Sequence, residues 1–459
     1  MSWMQGIRNS NRWDLTTYKQ HLPYMAGFLS ILLASIGRSE RRVATARYVE
    51  GLLLPGRRKF IRPLAERLKV DPQSLQQAIT HSPWDDQEVW SALRSEMVPL
   101  LEPFDLWVIH ERAWAKQGPS TVGVGNQRCG AEGKKAHCQV SLELLVSDGT
   151  IAAPAAGRLY LPENWAADVK LREATEIPDA VEFTTKPGLA IELLKEVVRD
   201  GVLRGTVIAD ASYGNDANIR SALLNMDLEF FLEINPELHR AWDFQGTGPH
   251  WDKTLQPHSY SLDRIVKTMP LGEWRNCCWL EGDDIPRRTR LAIREIFLEP
   301  NASQTPRQLE RLWLVVDHPT ERAQPYRCYL AHFKDTPREA KCLRLSRCHH
   351  YLEHYHRRLE GDLDLTCYQG RSWKGFHHHL VLSAAAYLFT LMVELRSRRA
   401  FWSDLKEDIP IDPQIAAEIA RFSSVLLGSG SLPRNEPLEA PIELRRRKAA
   451  NGDGLSLTN

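Results

Sequence analysis

The stretch that decides the fold is "GLAIELLKEVVRDGVLRGTVIADASYGNDANIRSALLNMDLEFFLEI", residues 188–234. Its first part has the apolar spacing of an amphipathic helix that ends at Gly201, and "GTVIAD" is typical of a buried strand ending at Asp210. A second helix, "NDANIRSALLNM", and a further strand, "LEFFLEI", follow. Helices that alternate with strands predict an α/β domain with a mixed sheet.

The chain on either side of this stretch adds more strands. "DLWVIHE" (105–111) predicts a short buried strand, and "HCQVSLELLVS" (137–147) predicts another with partial alternation. Further on, "LERLWLVVDHP" and "YRCYLAHFKD" predict a β-hairpin within an irregular region, and "HHHLVLSAAAYLFTLMVELRSR" predicts a long apolar helix. Together these patterns predict a β-rich insertion between the central strands and the closing helices.

Residues 20–100 are predicted to be helical. Within them "IRPLAERLKVDPQSLQQAIT" has two apolar helical runs around "VDPQS", where Asp71 or Ser74 could cap the second helix and Pro72 suits its first turn. Two short helices joined by a tight turn fit a helix-turn-helix DNA reader, and an ordinary helical hairpin is the alternative. The residues expected to contact DNA are Arg57, Arg58, Lys59, Arg62, Arg67, Lys69, Gln73, Gln76 and Gln77.

Composition limits the function classes. The 459 residues are 43% hydrophobic with a net charge of +1, which argues against a globally basic nucleic-acid binder but allows local basic patches. No run of 18 apolar residues occurs, so we expect a cytoplasmic protein with no membrane partner. The eight cysteines form no CxxC pair, and we expect reduced thiols and no structural zinc site.

Phosphodiester cleavage by two metal ions needs carboxylates that converge from neighbouring elements. Asp210 lies at the end of a buried strand, Glu353 lies in a later helical segment, and the first strand ends at His110 and Glu111. These positions predict a site at one edge of the sheet.

Several motifs, taken in order, make the chain resemble the insertion-sequence DDE transposases over about residues 25–400. They are "YVEGLLLPGRRKFIRPLAERL", "LQQAITHSPWDDQEV", "KQGPSTVGVGNQRCGAEGKKAHCQVSLEL", "RLYLPENW", "FTTKPGLA", "IADASYG" and "GRSWKGFHHH". The resemblance implies a ribonuclease H-like mixed-sheet catalytic domain, an all-α N-terminal DNA-binding region and the β-rich insertion before the last catalytic helix.

The resemblance also implies roles for single residues. Asp210 falls on the second catalytic aspartate and Glu353, in "YLEHYHRRLEGDLDL", on the third acid. The first acid lies in a family motif like "IDETGF", and here "VIHERAW" puts His110 at the aspartate position and Glu111 at the neighbouring acid. The implied metal ligands are Asp210, Glu353 and Glu111, with Mg²⁺ or Mn²⁺ as the ion if the site is active. Basic residues of the family motifs add Lys116, Arg371 and Lys374 to the expected DNA contacts.

Departures from the family pattern weaken the case for cleavage. His110 replaces the first aspartate, His349 replaces an arginine before the third acid, and Glu360 replaces a lysine that would attract phosphate. The favoured hypothesis is a domesticated DNA-binding protein with lost or weakened cleavage and strand transfer, which needs no metal. The alternatives are an active cut-and-paste transposase with a variant metal site, built from Glu111 or His110 with Asp210 and Glu353, and a non-catalytic assembly scaffold. Imidazole would favour Mn²⁺ or Zn²⁺ over Mg²⁺ in the variant site.

The histidine-rich segment "RCHHYLEHYHRRLEGD", residues 347–362, leaves another alternative open. His349, Glu353, His356 and Glu360 share one helical face by spacing, so a dedicated zinc or iron site could lie there. The resemblance favours a helix that supplies Glu353 alone. We expect the "HHH" at 377–379 to pack and form hydrogen bonds at the head of its helix.

The predicted organisation has five parts. They are a helical DNA-binding region (1–100), the first part of the ribonuclease H-like core (101–235), the insertion (236–335), the helical closing part (336–426) and a flexible tail (427–459). The implied partner is double-stranded DNA, bound by one chain or a homodimer, in a bacterial cytoplasm and associated with the nucleoid when bound.

Overall fold

The computed structural model describes residues 15–97, 104–116, 118–129, 134–149, 151–242, 259–281, 285–299, 310–319, 326–347, 352, 355–364, 367–395 and 412–427. Glu353 and His349 lie outside these residues, so their predicted roles stay predictions. The segment after residue 427, predicted to be a flexible tail, also lies outside them.

The N-terminal part of the described chain is helical. Its helices are α1 Leu15–Leu32, α2 Ser39–Leu53, α3 Ile61–Leu68, α4 Pro72–Gln76 and α5 Asp86–Ala92. Helix α4 continues into a π-helical turn at Gln77–His81, and α5 continues into another at Leu93–Met97. Asp71 caps α4 by accepting a hydrogen bond from the Ser74 amide at 3.0 Å, and Pro72 lies in the first turn, as the sequence indicated.

A large mixed sheet forms the centre of the described molecule. Its strands are β1 Leu106–Ala115, β2 Gly125–Cys129, β3 Lys134–Ser147, β4 Ala152–Leu159, β5 Thr206–Ala209, β6 Phe230–Ile234, β7 Arg240–Trp242, β8 Ser259–Ser261, β9 Arg275–Glu281, β10 Ile285–Leu298, β11 Glu310–Pro319 and β12 Arg327–His332. The strand order is β2-β3-β1-β5-β6-β12-β11-β10-β7-β8, with β4 paired to β3 and β9 paired to β10.

The central strands have the arrangement that the sequence predicted. Strand β1 pairs antiparallel with β3 and parallel with β5, where Leu106 lies opposite Thr206 and Val108 opposite Ile208. Strand β12 pairs with β6 and so continues the sheet into the insertion, which gives one sheet of twelve strands in the described residues. The predicted hairpin is the antiparallel pair β11 and β12.

The remaining helices complete the described fold. They are α6 Glu163–Ala167, α7 Val169–Ala174, α8 Lys186–Arg199, α9 Ala211–Gly214, α10 Ala217–Asn225, α11 Leu262–Lys267, α12 Glu339–Ser346, α13 Trp373–Leu395 and α14 Pro413–Leu427. A π-helical turn, Arg357–Asp362, precedes α13. Helix α8 packs on β3 and β4, and α10 packs on α8.

Helix α13 joins the sheet to the N-terminal helices. It contacts β4 and also α2, α5 and the turn that ends α4, so one apolar core runs from Tyr18 in α1 through the sheet to Phe389 in α13. Within the described residues α13 is long and apolar enough to cross a membrane by composition alone (Trp373–Glu394), and 94% of that window is buried inside the protein. The helix is therefore the centre of a continuous core.

The described cysteines correct one expectation. Cys277, Cys278, Cys328, Cys342 and Cys367 are free thiols. Cys138, in β3, is disulfide-bonded. The expectation that every cysteine is reduced is therefore wrong at Cys138, since the absence of a recognisable spacing does not exclude a bond between cysteines distant in the sequence.

Candidate functional site

His110 lies in β1, and Asp210 directly follows β5, the parallel neighbour of β1. Val108 and Ile208 are the last paired residues of these two strands, and His110 and Asp210 each come two residues later. His110 is half-buried, whereas Asp210 is exposed and its Oδ1 accepts a hydrogen bond from the Ser212 amide at 2.8 Å. Asp210 thus caps the short helix α9 while its second oxygen stays available to solvent or a ligand.

A second imidazole packs against His110. The ring of His356 lies edge-on to that of His110, with 4.6 Å between the ring centroids. His356 Nδ1 lies 3.7 Å from Glu360 Oε1, so the helical spacing of these two residues does bring them together. Burial lowers the pKa of His356, and the nearby Arg112 guanidinium lowers it further. Two imidazoles therefore meet at His110, the position that the sequence resemblance equates with the first carboxylate of the DDE transposases.

Glu111 makes contacts away from His110. Successive residues of a strand point to opposite faces, and the register of β1 is unbroken across both positions. Glu111 Oε1 accepts a hydrogen bond from Tyr213 Oη at 2.7 Å, and Oε2 lies 2.6 Å from Lys186 Nζ. Burial and the Glu111 carboxylate both raise the pKa of Tyr213, so the phenol stays protonated and acts as the hydrogen-bond donor. The carboxylate of Glu111 therefore ties α8 and α9 to β1.

These partners of Glu111 were not among the predicted site residues. Lys186 lies in "FTTKPGLA" and Tyr213 lies in "IADASYG", two of the motifs that carry the family resemblance. The sequence signal that could have identified Lys186 and Tyr213 is that each is a charged or hydroxyl-bearing residue of a family motif, close to a predicted catalytic acid. The metal-ligand role of Glu111 stays a prediction, in which a cation would have to displace two existing partners.

A buried ionic network holds the segment that carries His356. Arg112 Nη2 donates to Glu143 Oε2 at 2.6 Å and to Tyr355 Oη at 2.8 Å. Tyr355 Oη in turn donates to Glu143 Oε2 at 2.8 Å, and all three side chains are buried. Because breaking one partner of such a network leaves a buried charge unpaired, the network fixes Tyr355, and with it the adjacent His356, against β1 and β3.

The described residues do not fit a two-metal clamp. Within the ranges given above, no group of three or more His, Cys, Asp or Glu side chains is placed to hold a metal ion. Asp210 offers a carboxylate at the end of β5, His110 offers an imidazole, and the oxygens of Glu111 are already bonded. Two hard cations need several converging oxygens, which the described side chains do not supply by themselves; the third predicted acid, Glu353, lies outside the described residues.

The residues expected to contact DNA divide by exposure. Exposed side chains are Arg57, Arg58, Arg62, Lys69, Gln73, Gln76, Gln77 and Arg371. The side chain of Lys59 is instead buried, with 1% exposure, and its ammonium group bonds the Leu52 carbonyl oxygen. Burial and the nearby Arg67 guanidinium together lower the pKa of Lys59 to about 7. The expectation that Lys59 contacts DNA is wrong, because its charge cannot reach a phosphate.

The other basic residues are half-buried. Arg67 Nη2 donates to the Arg57 carbonyl and, at 3.0 Å, to that of Arg58, which braces the loop carrying those two arginines. Lys116 Nζ donates to the Tyr368 carbonyl, and burial lowers its pKa to about 8. Lys374 is half-buried at the start of α13. Arg67 and Lys116 are therefore already bonded to backbone carbonyl oxygens.

Comparison with known proteins decides the family. The model of the DDE superfamily endonucleases matches residues 31–282, which is more than half of the chain. The chain belongs to the DDE superfamily endonucleases.

This assignment accounts for the large mixed sheet, which is consistent with the ribonuclease H-like fold of DDE transposases. DDE endonucleases use divalent metals such as Mg²⁺ or Mn²⁺, whereas the described side chains of this chain offer Asp210 and imidazoles. No curated protein matches the chain. Among solved structures, the cryo-EM structure of a piggyBac transposase synaptic complex with hairpin DNA is 13% identical, covering 93% of this chain and 84% of that chain with a TM-score of 0.37. Such a TM-score adds nothing to the family assignment.

Proposed function

We propose that this DDE-superfamily endonuclease is a duplex-DNA-binding protein whose cleavage and strand-transfer chemistry is lost or weak. The observation that supports the proposal most is the contact between two imidazoles, His110 in β1 and His356, beside the strand β5 that leads to Asp210. An imidazole is a poor ligand for Mg²⁺, which prefers oxygen and keeps several waters. One side of the two-metal clamp is therefore left open.

The DNA-binding half of the proposal rests on the surface of α3 and α4. Arg57, Arg58 and Arg62 are exposed beside α3, where phosphate contacts would position the helices on a duplex. Gln73, Gln76 and Gln77 are exposed on α4 and its turn, whereas Leu75, Ala78 and Ile79 of the same segment are buried. Glutamine amides can pair bidentately with adenine in the major groove.

Nicking of supercoiled plasmid tests the catalytic half of the proposal. Wild type should show no Mg²⁺-dependent nicking, and His110→Asp, which restores the family residue, should gain it. Asp210→Ala combined with His110→Asp is the matched control and should abolish the gained activity. Robust nicking by wild type with Mg²⁺ that Asp210→Ala removes would overturn the proposal.

The imidazole pair also favours a second function, an active transposase with a variant metal site. Such a site would work with Mn²⁺ or Zn²⁺ rather than Mg²⁺. The same nicking assay with Mn²⁺ separates the two: activity that His110→Ala and His356→Ala both remove would support the variant site. A protein that binds no duplex DNA at low salt would instead support a scaffold role for the fold.

A further inference from the structure

Three consecutive histidines at the head of α13 have different hydrogen-bonding surroundings. His377 Nδ1 lies 2.9 Å from the Trp373 carbonyl oxygen, and His377 Nε2 accepts a hydrogen bond from the Leu159 amide at 3.2 Å. One ring nitrogen thus donates and the other accepts, which a neutral imidazole satisfies fully. His379 faces two hydroxyl groups, Tyr48 Oη at 2.8 Å and Ser383 Oγ at 3.2 Å, and hydroxyls either donate or accept.

His378 differs from both neighbours. Its Nδ1 lies 2.8 Å from the Ile79 carbonyl oxygen and its Nε2 lies 2.9 Å from the Trp84 carbonyl oxygen. Carbonyl oxygens only accept hydrogen bonds, and a neutral imidazole has one N–H group. In the neutral form one ring nitrogen would face an oxygen lone pair with its own lone pair, so both contacts are favourable only when both nitrogens carry a proton.

The surroundings of His378 also favour a cation. Its ring stacks on the indole of Trp84 with 3.5 Å between centroids and 10° between planes, an arrangement in which an aromatic face attracts positive charge. The Ile79 carbonyl belongs to the last turn of the α4 segment, where the helix dipole is negative. The carboxyl group of Asp86, at the start of α5, acts on the same ring.

Other effects oppose the charge. Burial has the largest effect: it shifts the pKa of His378 downward overall and raises that of Asp86, which favours a neutral pair. The two carbonyls and Asp86 act in the opposite direction on His378 and offset part of this shift. His377 also disfavours the charge on His378, and Arg158 acts on Asp86 and on His377. The hydrogen-bonding geometry decides between these effects, because a neutral His378 would leave one short nitrogen–oxygen contact repulsive.

We infer that His378 is an imidazolium in the folded protein and clamps α13 to the segment 79–84 that ends the α4 helix. The clamp spans the two parts of the continuous core, since α13 also packs on the sheet and α4 carries the exposed glutamines. Loss of the proton would break one of the two carbonyl contacts and loosen the end of α4. A consequence for DNA binding rests on the proposed function, but the protonation state of His378 does not.

The direct test is nitrogen NMR of the full chain with ¹⁵N-labelled histidine, with the His378 signals assigned by their loss in His378→Gln. We expect both ring nitrogens of His378 to be protonated at neutral pH, and one protonated and one bare nitrogen for His377. A bare nitrogen on His378 at neutral pH would overturn the inference.

Urea unfolding at several pH values gives a second measurement. A histidine with a folded-state pKa above its unfolded value of about 6.5 adds stability below that pH and loses it as pH rises through the folded pKa. The advantage of wild type over His378→Gln should therefore shrink steadily above pH 6.5, and Asp86→Asn should move this loss to lower pH. The matched control His377→Gln should show a constant difference above pH 6.5, because burial lowers the pKa of His377 to about 4.

Gel-shift titration over the same pH range separates this inference from the proposed function. Wild-type affinity for duplex DNA should fall with rising pH, and His378→Gln should lack that part of the fall. An imidazolium found by NMR in a protein that binds no DNA would leave the clamp intact and refute only the DNA-binding proposal. A constant stability difference for His378→Gln across pH 6.5–9 would overturn the clamp.

Discussion

Replacing Arg57, Arg58 and Arg62 together by alanine should weaken DNA binding and flatten its dependence on salt. All three side chains are exposed at the start of α3 or in the loop before it. Each phosphate that a cation neutralises adds about 0.9 to the log–log slope of affinity against salt, so three contacts contribute about 2.7. Between 50 and 200 mM salt, the affinity of the triple variant should then fall about 40-fold less than that of wild type.

The measurement is a gel-shift or anisotropy titration of one duplex at four or more salt concentrations. A charge-matched control replaces Lys170, Lys195 and Arg204, which are exposed outside the N-terminal helices, and should leave the slope nearly unchanged. Equal slopes for wild type and the Arg57, Arg58 and Arg62 variant would show that another surface contacts the phosphates. An equal loss of slope in both variants would mean that net charge, and not this surface, sets the affinity.

Two further outcomes follow from the same region. Changing Gln76 and Gln77 to alanine should reduce discrimination between A·T-containing and scrambled duplexes, while the slope of affinity against salt stays constant. A selection of bound sequences would detect the change. An unchanged sequence preference would contradict the assignment of α4 as the element that reads DNA sequence. Lys59→Met should be more stable than wild type near pH 7. The pKa of Lys59 falls from 10.5 to about 7 on folding, mainly because of burial, so between these values the unfolded chain binds the proton more tightly than the folded protein. The stability of wild type therefore rises with pH, and the advantage of Lys59→Met should shrink toward pH 10 by up to about 1.4 kcal/mol per pH unit. Urea unfolding from pH 7 to 10 measures the difference, and parallel pH profiles for the two proteins would contradict it.

The local pattern of the sequence was sufficient for the central elements. Apolar alternation and helical periodicity predicted β1, β3, β5, α8 and α10. Each of these elements buries one face, and the spacing of its buried residues can be recognised within a few consecutive residues. The extension of the sheet into the insertion depends on β12 pairing with β6, roughly a hundred residues earlier in the chain. Pairing at that distance leaves no mark in the local pattern.

The candidate site shows the same limit at single residues. Lys59 belongs to a uniformly basic run in the sequence, but Gly56 and Arg58 both adopt positive φ values, of 118° and 62°, and the chain turns there so that Lys59 points inward. In contrast, strand alternation puts Glu111 and His110 on opposite faces of the sheet, which the sequence alone predicts. The edge-on contact between His110 and His356 depends on tertiary packing, so the sequence did not predict it.

The continuous core around α13 has a consequence for how this protein can change. Because α13 packs on the sheet with one side and on α2, α5 and the end of α4 with another, the proposed DNA reader is not a separable module. Exchanging residues 1–100 for those of a relative would replace one side of the packed interface with α13 and leave the other side without its matching partner. Point substitutions on the exposed face of α4 leave that interface unchanged. New target preferences should therefore arise by point substitution on this face rather than by exchange of the whole N-terminal region.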